Sequence, residues 1–495
     1  MTRSGDIAYV IVGDDRRILI PDLGRFRSGA GRLSGLRCVH THLHGESLSN
    51  EDMTDMALLG LDIMACVQVN AEGLPGYIHY AHILPENGRN QQWQVTSVPD
   101  VGQLNIDFEE LIQSLEDEIG RVGRKPRAAK NEKAILVGVT SGPVKDAMES
   151  LEELRSLAIS NNLEVSDVVV QKIKEANPRF LIGRGRLSDL VLRCIQTGAN
   201  LMIFDNELTP AQVRSLTDYS ELKIIDRSQL ILDIFSRRAV TREGKIQVEL
   251  AQLKYLLPRL ATKNSAMSRL TGGIGGRGPG ETKLEINRRR ARERISRLNA
   301  ELIKIGKQRK ERRRLRNDTG IPIISIVGYT NAGKSTLLNN LTYSSVNAGN
   351  RLFETLDAST RRLRFPRERE AIITDTVGFI RNLPESLMEA FASTLEELHD
   401  ADLLLHVVDA ASPWLEAQIK VVEDILTRLD LRGIPSILVL NKADLLTQDE
   451  AAALSRRWDG IAVSALDQKT LYPLLLKMED FISSSIHKET SLNNA

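Results

Sequence analysis

The sequence predicts an α/β protein. It has a phosphate-binding domain on a parallel sheet, preceded by a second α/β domain, a long basic antiparallel helical hairpin and an extra N-terminal α+β domain. Three observations carry this. Residues 328–336 read GYTNAGKST, which fits G-x-x-x-x-G-K-[ST], behind an apolar β-rich run at 323–327 and ahead of a helical opening at 337–341. Residues 134–240 alternate apolar strands with amphipathic helices, as a parallel sheet covered on both faces requires. Beyond Glu281, the residues Ile295, Leu298, Leu302 and Ile305 recur at spacings of three, four and three, the seam of a helix packed on a helix.

At 495 residues the chain is long enough for several domains. Composition shifts divide it into 1–128, 131–243, 244–318, 319–488 and a tail at 489–495. Lys+Arg 66 against Asp+Glu 65 names no partner globally. Cys38, Cys66 and Cys194 are scattered and lack metal-type spacing, which suits a reducing compartment. No signal peptide and no long apolar span is apparent, so a cytoplasmic protein without a membrane span is expected.

In the first domain, residues 8–12 and 18–20 flank Gly13-Asp14-Asp15 and read as a hairpin, and a further strand is expected to end at Cys38-Val39. His40-Thr41-His42 with Ser49 and Asp52 downstream is similar to the H-x-H, spacer, S-x-x-D zinc pattern of JAMM/JAB-type metalloproteases. Two imidazoles on one face of a strand plus a carboxylate can hold Zn²⁺ and leave a position for water. Leu43 stands where that family has Pro, the spacer is about one residue short, and no Glu precedes Glu46 to serve as the family's upstream base. A helix follows at 105–122, then a linker at 123–127.

In the second domain, strands are expected at 134–139, 164–170, 201–204 and 222–225, with a helix at 144–160. Gly183-Arg184-Gly185-Arg186 opens a helix and is either an anion site or a basic capping loop. The segment 204–212, FDNELTPAQ, ends a strand and starts a helix with Thr209 as N-cap and Pro210 at the first position. Its polar residues sit where α/β sheets place ligands, or serve only as a cap.

The hairpin begins with an amphipathic helix at 247–260. It continues through the glycine-rich 272–280, tipped by Arg277, into a helix carrying six arginines over 288–297 and seven Lys/Arg over 307–316. So few acidic neighbours point to nucleic-acid phosphate as the partner.

Three stations after the phosphate loop decide what the last domain binds. In the loop itself, Gly328, Tyr329, Thr330, Asn331, Ala332 and Gly333 cradle the anion, Lys334 reaches the β- and γ-phosphates, and Ser335 holds Mg²⁺. Asp375-Thr376-Val377-Gly378 ends a strand; Asp375 reaches Mg²⁺ through water and the Gly378 N–H senses the γ-phosphate. Asn441-Lys442-Ala443-Asp444 ends another, and the Asp444 carboxylate accepts from the guanine N1–H and N2–H₂, which adenine lacks. Ser464-Ala465-Leu466 completes the base pocket. The substrate is therefore GTP. Phe379, following Gly378, has no hydrogen-bonding group where many GTPases place a water-orienting Gln.

The segment GGIGGRGPGETKLEINRRRARERI, with FDNELTPAQ, DRSQLILDIF and VELAQLKYLLPRL upstream, resembles the HflX family of ribosome-associated GTPases over about residues 133–485. The resemblance implies that Phe353-Glu354-Thr355-Leu356-Asp357 is switch I, with Thr355 as a second Mg²⁺ ligand, although the family more often has a small residue at position 354. It implies slow hydrolysis stimulated by the ribosome, contact with large-subunit RNA, rescue or splitting of stalled ribosomes, and a monomer when bound. Asn331 matches the Asn by which related potassium-dependent GTPases hold K⁺. Two rival readings are a metal-dependent peptidase-like N-terminal domain regulated by a GTPase module, and a passive nucleotide-sensing RNA-binding protein.

Overall fold

Among the described residues, strand-forming runs separated by helical or turn segments build three sheets, each of different topology. The computed structural model describes residues 1–14, 18, 33–85, 93–123, 132–220, 222–260, 283–317, 321–342, 359–367, 369–376, 378–381 and 396–492. Two units emerge, Met1–Leu230 and Ile231–Ala495.

The first unit opens with β1 (Arg37–His42), α1 (Asn50–Leu59), β2 (Ile63–Val69), β3 (Pro75–Ile83), β4 (Trp93–Val98) and α2 (Phe108–Gly123). The helical crossover through α1 lets β1 and β2 run parallel, whereas short turns make β2, β3 and β4 antiparallel. A capping box between Ser49 and Asp52 starts α1, and Gly60 at φ 58° ends it. The hairpin expected near the N-terminus does not form in its described part: residues 8–14 carry no strand, and Ile7, Val10 and Val12 are exposed. A two-stranded ribbon with nothing to bury against is marginal in water. The terminus instead bridges Thr2 to Leu36, and Arg3 reaches Asp62 at 2.5 Å and Glu116 at 2.7 Å. Leu19, Ile20 and the linker residues 124–127 lie outside the described residues.

The unit continues with β5 (Lys133–Thr140), α3 (Val144–Ser160), β6 (Glu164–Lys172), α4 (Arg184–Thr197), β7 (Leu201–Phe204), α5 (Pro210–Ser220) and β8 (Lys223–Asp226), followed by α6 (Arg227–Arg238). The sheet is all parallel, in the order β6-β5-β7-β8. One hydrophobic core runs through both parts of the unit. Met53, Met56 and Ala57 of α1 and Ile112 and Leu115 of α2 cluster with Leu187, Leu190 and Val191 of α4. Each of these buried Met, Ile, Leu and Val side chains contributes about 1.5–3 kcal/mol, and Ala57 less.

At the C-terminal ends of these strands the polar residues of 204–212 bond to their own chain. The Asn206 amide donates to Val139 O and accepts from Val139 N, both at 2.8 Å. Thr209 and Gln212 form a reciprocal cap at the start of α5. Arg227 is buried between Asp205, at 2.8 Å, and Glu153. At the start of α4, Gly183 is the N-cap residue with no side-chain cap, and Arg186 pairs with Asp189 on the same helix.

In the second unit, α7 (Arg242–Leu260) lies beside α8 (Lys283–Asn317). Arg242 pairs with Glu301 and Glu249 with Arg294, a descending register that makes the helices antiparallel. Ile246, Leu250 and Leu298 are buried at their seam. The glycine-rich loop with Arg277 lies outside the described residues. The third sheet and its helices take β9 (Ile323–Gly328), α9 (Lys334–Thr342), β10 (Ser359–Arg364), β11 (Glu370–Asp375), β12 (Leu403–Asp409), α10 (Leu415–Arg428), β13 (Ser436–Asn441), α11 (Gln448–Trp458), β14 (Ile461–Ala462) and α12 (Gln468–Leu492). Its order is β10-β11-β9-β12-β13-β14, and only β10 runs antiparallel to its neighbour. Among the described residues, no helix is long and apolar enough to cross a membrane.

Candidate functional site

The ends of β9, β11 and β13 converge, and their loops form one polar surface. β9 stops at Gly328, whose φ of 153° suits only glycine. A Cβ there would lie 2.1 Å from Val407 O. Asn331 sits at φ 61°, a left-handed conformation that Asn tolerates. Gly333, at φ 90°, has no room either: a Cβ would come within 2.2 Å of Asn441 Nδ2. The two glycines and Asn331 bend the chain back on itself before α9 begins at Lys334.

Lys334 is buried, and its Nζ donates to Gly328 O at 3.1 Å and Tyr329 O at 2.7 Å. Burial pulls its pKa down to about 8, opposed only by the charge of Asp375. Ser335 Oγ donates to Asp375 Oδ2 at 2.7 Å, so the two groups expected around Mg²⁺ meet. A hydroxyl beside a carboxylate is a hard-oxygen donor set and fits that ion. Thr376 Oγ1 donates to Ile326 O at 2.7 Å and ties the end of β11 to β9.

The residues after Asp375 run along the phosphate loop. Phe379 N donates to Gly328 O at 3.1 Å, and Thr330 N to Phe379 O at 2.8 Å. Arg381 N donates to the Tyr329 hydroxyl at 2.8 Å. Gly378 lies so close that a Cβ would meet Lys334 Nζ and Thr330 Cγ2 at 2.9 Å. The Phe379 ring is buried. Val377 and the whole of Phe353, Glu354, Thr355, Leu356 and Asp357 lie outside the described residues.

On the base side, Asn441 spends its amide inside the protein. Its Nδ2 donates to Ala332 O at 2.7 Å, and its Oδ1 accepts from Ala465 N at 2.8 Å. Asn340 Nδ2 holds Ala465 O at 2.6 Å from the other side. Lys442, at φ 62°, pairs its Nζ with Asp409 at 2.6 Å, and Ala443 N donates to Val463 O at 3.0 Å. Ser464 N donates to Thr470 Oγ1 at 2.9 Å. Asp444 and Leu466 remain exposed at the mouth.

Sequence patterns had not singled out Asn340, Asp409 or the Tyr329 hydroxyl, nor His406 on β12. His406 is buried, and burial first, then the Lys334 charge, pushes its pKa down to about 4. It is therefore neutral at pH 7 and adds no second positive charge beside the loop. In the first unit, His40 and His42 occupy alternate positions of β1, and Asp52 of α1 comes within 3.3 and 3.6 Å of them.

Three family models match in order. Residues 148–236 match the N-terminal region of a GTP-binding GTPase, 238–316 its middle region, and 323–442 the family described as 50S ribosome-binding GTPase. The GTPase HflX of Caldanaerobacter subterraneus subsp. tengcongensis is 50% identical over 319 residues, covering 64% of this chain and 74% of the relative. The chain belongs to the HflX family of GTPases. The GTPase HflX of Escherichia coli is 44% identical over 319 residues, 64% of this chain and 75% of that relative. Among solved structures, a GTP-binding protein from Sulfolobus solfataricus in complex with GDP is 25% identical with a TM-score of 0.39, covering 71% of this chain and 99% of that one. As an HflX-family member, the protein is a P-loop enzyme that binds guanine nucleotide and hydrolyses GTP. The first matched residue is 148, so the four-stranded sheet with His40 and His42 stands outside all three models.

Proposed function

We propose that this HflX-type GTPase is a nucleotide-controlled ribosome factor, acting as a monomer on the large subunit and rescuing or splitting stalled ribosomes. The observation that supports the ribosomal half is the outer face of α8. Arg289, Arg290, Arg292 and Arg297 are exposed there, while α7 covers the apolar seam. Such a row suits phosphate contacts on RNA.

In this reading, GTP enters with its triphosphate in the 328–335 loop. The Lys334 ammonium turns from the Gly328 and Tyr329 carbonyls to the β- and γ-phosphate oxygens, and its charge is restored by the anion. The Gly378 N–H senses the γ-phosphate. Because 378–381 is bonded along the loop, a change there moves the start of the switch. Ser335, Thr355 and Asp375 are the residues that would hold Mg²⁺, an ion that neutralises charge developing on the phosphates. Asp444 reads the guanine edge, and Lys442 with Ser464, Ala465 and Leu466 frames it. Water attacks the γ-phosphorus, the bond to the β-phosphate oxygen breaks, and GDP and phosphate leave. The buried Phe379 cannot orient that water, so turnover is slow until the ribosome supplies or reshapes the missing contact.

Purified ribosomes sedimented with the full-length protein test the reading. Association with large subunits in a GTP analogue and release in GDP are expected, together with loss of association when Arg289, Arg290, Arg292 and Arg297 are all changed to Glu. Sedimentation that ignores nucleotide would sink the switch. Asn331 is exposed on the loop, and we assign it to K⁺; equal turnover in Na⁺ and K⁺ buffers removes that assignment.

A further inference from the structure

β1 is the edge strand of the N-terminal sheet, and alternate residues of a strand point to one face. His40 and His42 therefore project together. The turn from β1 into α1 is set by the Ser49 cap, which fixes Asp52 in the first turn of the helix opposite them. The two Nε2 atoms lie 2.9 Å apart, and Asp52 oxygens lie 3.3 Å from His40 Nε2 and 3.6 Å from His42 Nε2. Three nitrogen or oxygen donors around one tetrahedral zinc ion, at bond lengths of about 2.0–2.2 Å, stand about 3.3–3.6 Å from one another. The two Asp52 distances fall in that range, each to a different carboxylate oxygen, and the two imidazole nitrogens stand closer, at hydrogen-bond distance.

The surroundings orient two of the three residues, while the other ring nitrogen of His40, Nδ1, is buried without a hydrogen-bond partner. His42 Nδ1 lies 3.1 Å from Glu46 O, a contact that makes Nδ1 the donor and leaves the Nε2 lone pair facing the cluster. Asp52 Oδ2 accepts from Ser49 N at 2.7 Å and from Ser49 Oγ at 2.8 Å, which holds the carboxylate in one rotamer. Gln68 on the neighbouring strand donates to Gly45 O at 2.8 Å and pins the turn beside His42.

We propose that His40, His42 and Asp52 form a zinc site with one open coordination position. Two imidazoles and one carboxylate favour Zn²⁺ over Mg²⁺ or Ca²⁺, which prefer all-oxygen sets. Among the described residues, the cluster has three members, so the fourth position falls to water or an external ligand. The Glu46 carboxylate is turned to His44 N at 3.2 Å and does not complete the set. The ion clamps the end of β1 to the start of α1. Because α1 packs on α4, metal occupancy then sets the stability of the first unit.

The test uses the full-length protein, stripped with chelator, exposed to Zn²⁺ and dialysed before elemental analysis. About one zinc per chain is expected, falling below about a tenth in His42→Ala and in Asp52→Asn, with His44→Ala unchanged. Hydrogen exchange across α1 should slow on adding Zn²⁺ to the wild type and not to the two variants. Unchanged GTP turnover in the variants shows that their second unit is intact. Wild-type protein that takes up no zinc, or variants that keep it, overturn the proposal. Should both variants fail to fold, Co²⁺ added to the stripped wild type decides: an intense visible band of a tetrahedral ion supports the site, and a weak octahedral spectrum rejects it.

Discussion

Two sheets in this chain, one all parallel and one parallel but for β10, each bury a cation at the C-terminal ends of their strands, and the cations meet different fates. In the first unit, Arg227 follows β8 and is gripped by Asp205 and Glu153, with Ser150 Oγ at 3.2 Å. In the second, Lys334 follows β9, and among the described residues its Nζ is held by two carbonyls and paired with no carboxylate. Burial lowers the Lys334 pKa, whereas the two carboxylates drive that of Arg227 upward against burial. The same architecture thus places polar groups at the same edge twice. One edge has its counter-charge built into the chain and is closed; in the proposed function the other takes its counter-charge from a nucleotide.

The contrast breaks most sharply at Lys334. Lys334→Ala should weaken GTP and GDP binding by at least about a thousandfold, since a buried phosphate loses its charge partner. Calorimetry showing less than a tenfold loss would mean that the loop does not use this cation. Arg227→Met should leave nucleotide affinity unchanged but destabilise the first unit by about 3–5 kcal/mol, because two buried carboxylates lose their partner. Hydrogen exchange of α3 and β7, set beside nucleotide titration of the same sample, separates the two effects. The smallest effect is on pH. Lys334 in the free protein titrates near 8 and is held protonated by bound phosphate, so binding takes up a proton above that pH. Affinity should therefore fall by about tenfold between pH 7 and pH 9. A flat profile over that range would place the free lysine's pKa where an exposed lysine has it.

Legibility in the sequence follows the range of the interaction. The phosphate loop, Asp375–Gly378 and Asn441–Asp444 are contiguous words at strand ends, and strand-then-glycine patterns reveal them before any fold is known. The strands of the middle sheet were equally plain, because continuous apolar runs such as Leu201–Phe204 are buried on both faces. Contacts between distant residues were not legible. In the sequence Arg227 looks like a solvent-facing arginine at a helix start, and only the fold brings Glu153 and Asp205 to it. Asn206 and Thr209 looked equally like ligands or caps until Val139 and Gln212 were seen to occupy them. The hairpin expected near residue 10 took a short apolar run for a strand, and such a run alone does not say whether a neighbouring surface exists to bury it.

Asn441 joins Ala332 in the phosphate loop to Ala465 just after β14, and Gly333 leaves no space beside the Asn441 amide. In the proposed function, Asn441 therefore ties the receptors for the two ends of GTP into one gauge. Once guanine is seated, the triphosphate meets its loop at a high effective concentration, as the second arm of a chelate does. A nucleotide whose linker is too long or too short gains nothing from the second arm, whatever its base. The distance between base and phosphate becomes a selectivity criterion in its own right, and a lengthened ribose–phosphate analogue should bind no better than the two fragments added separately.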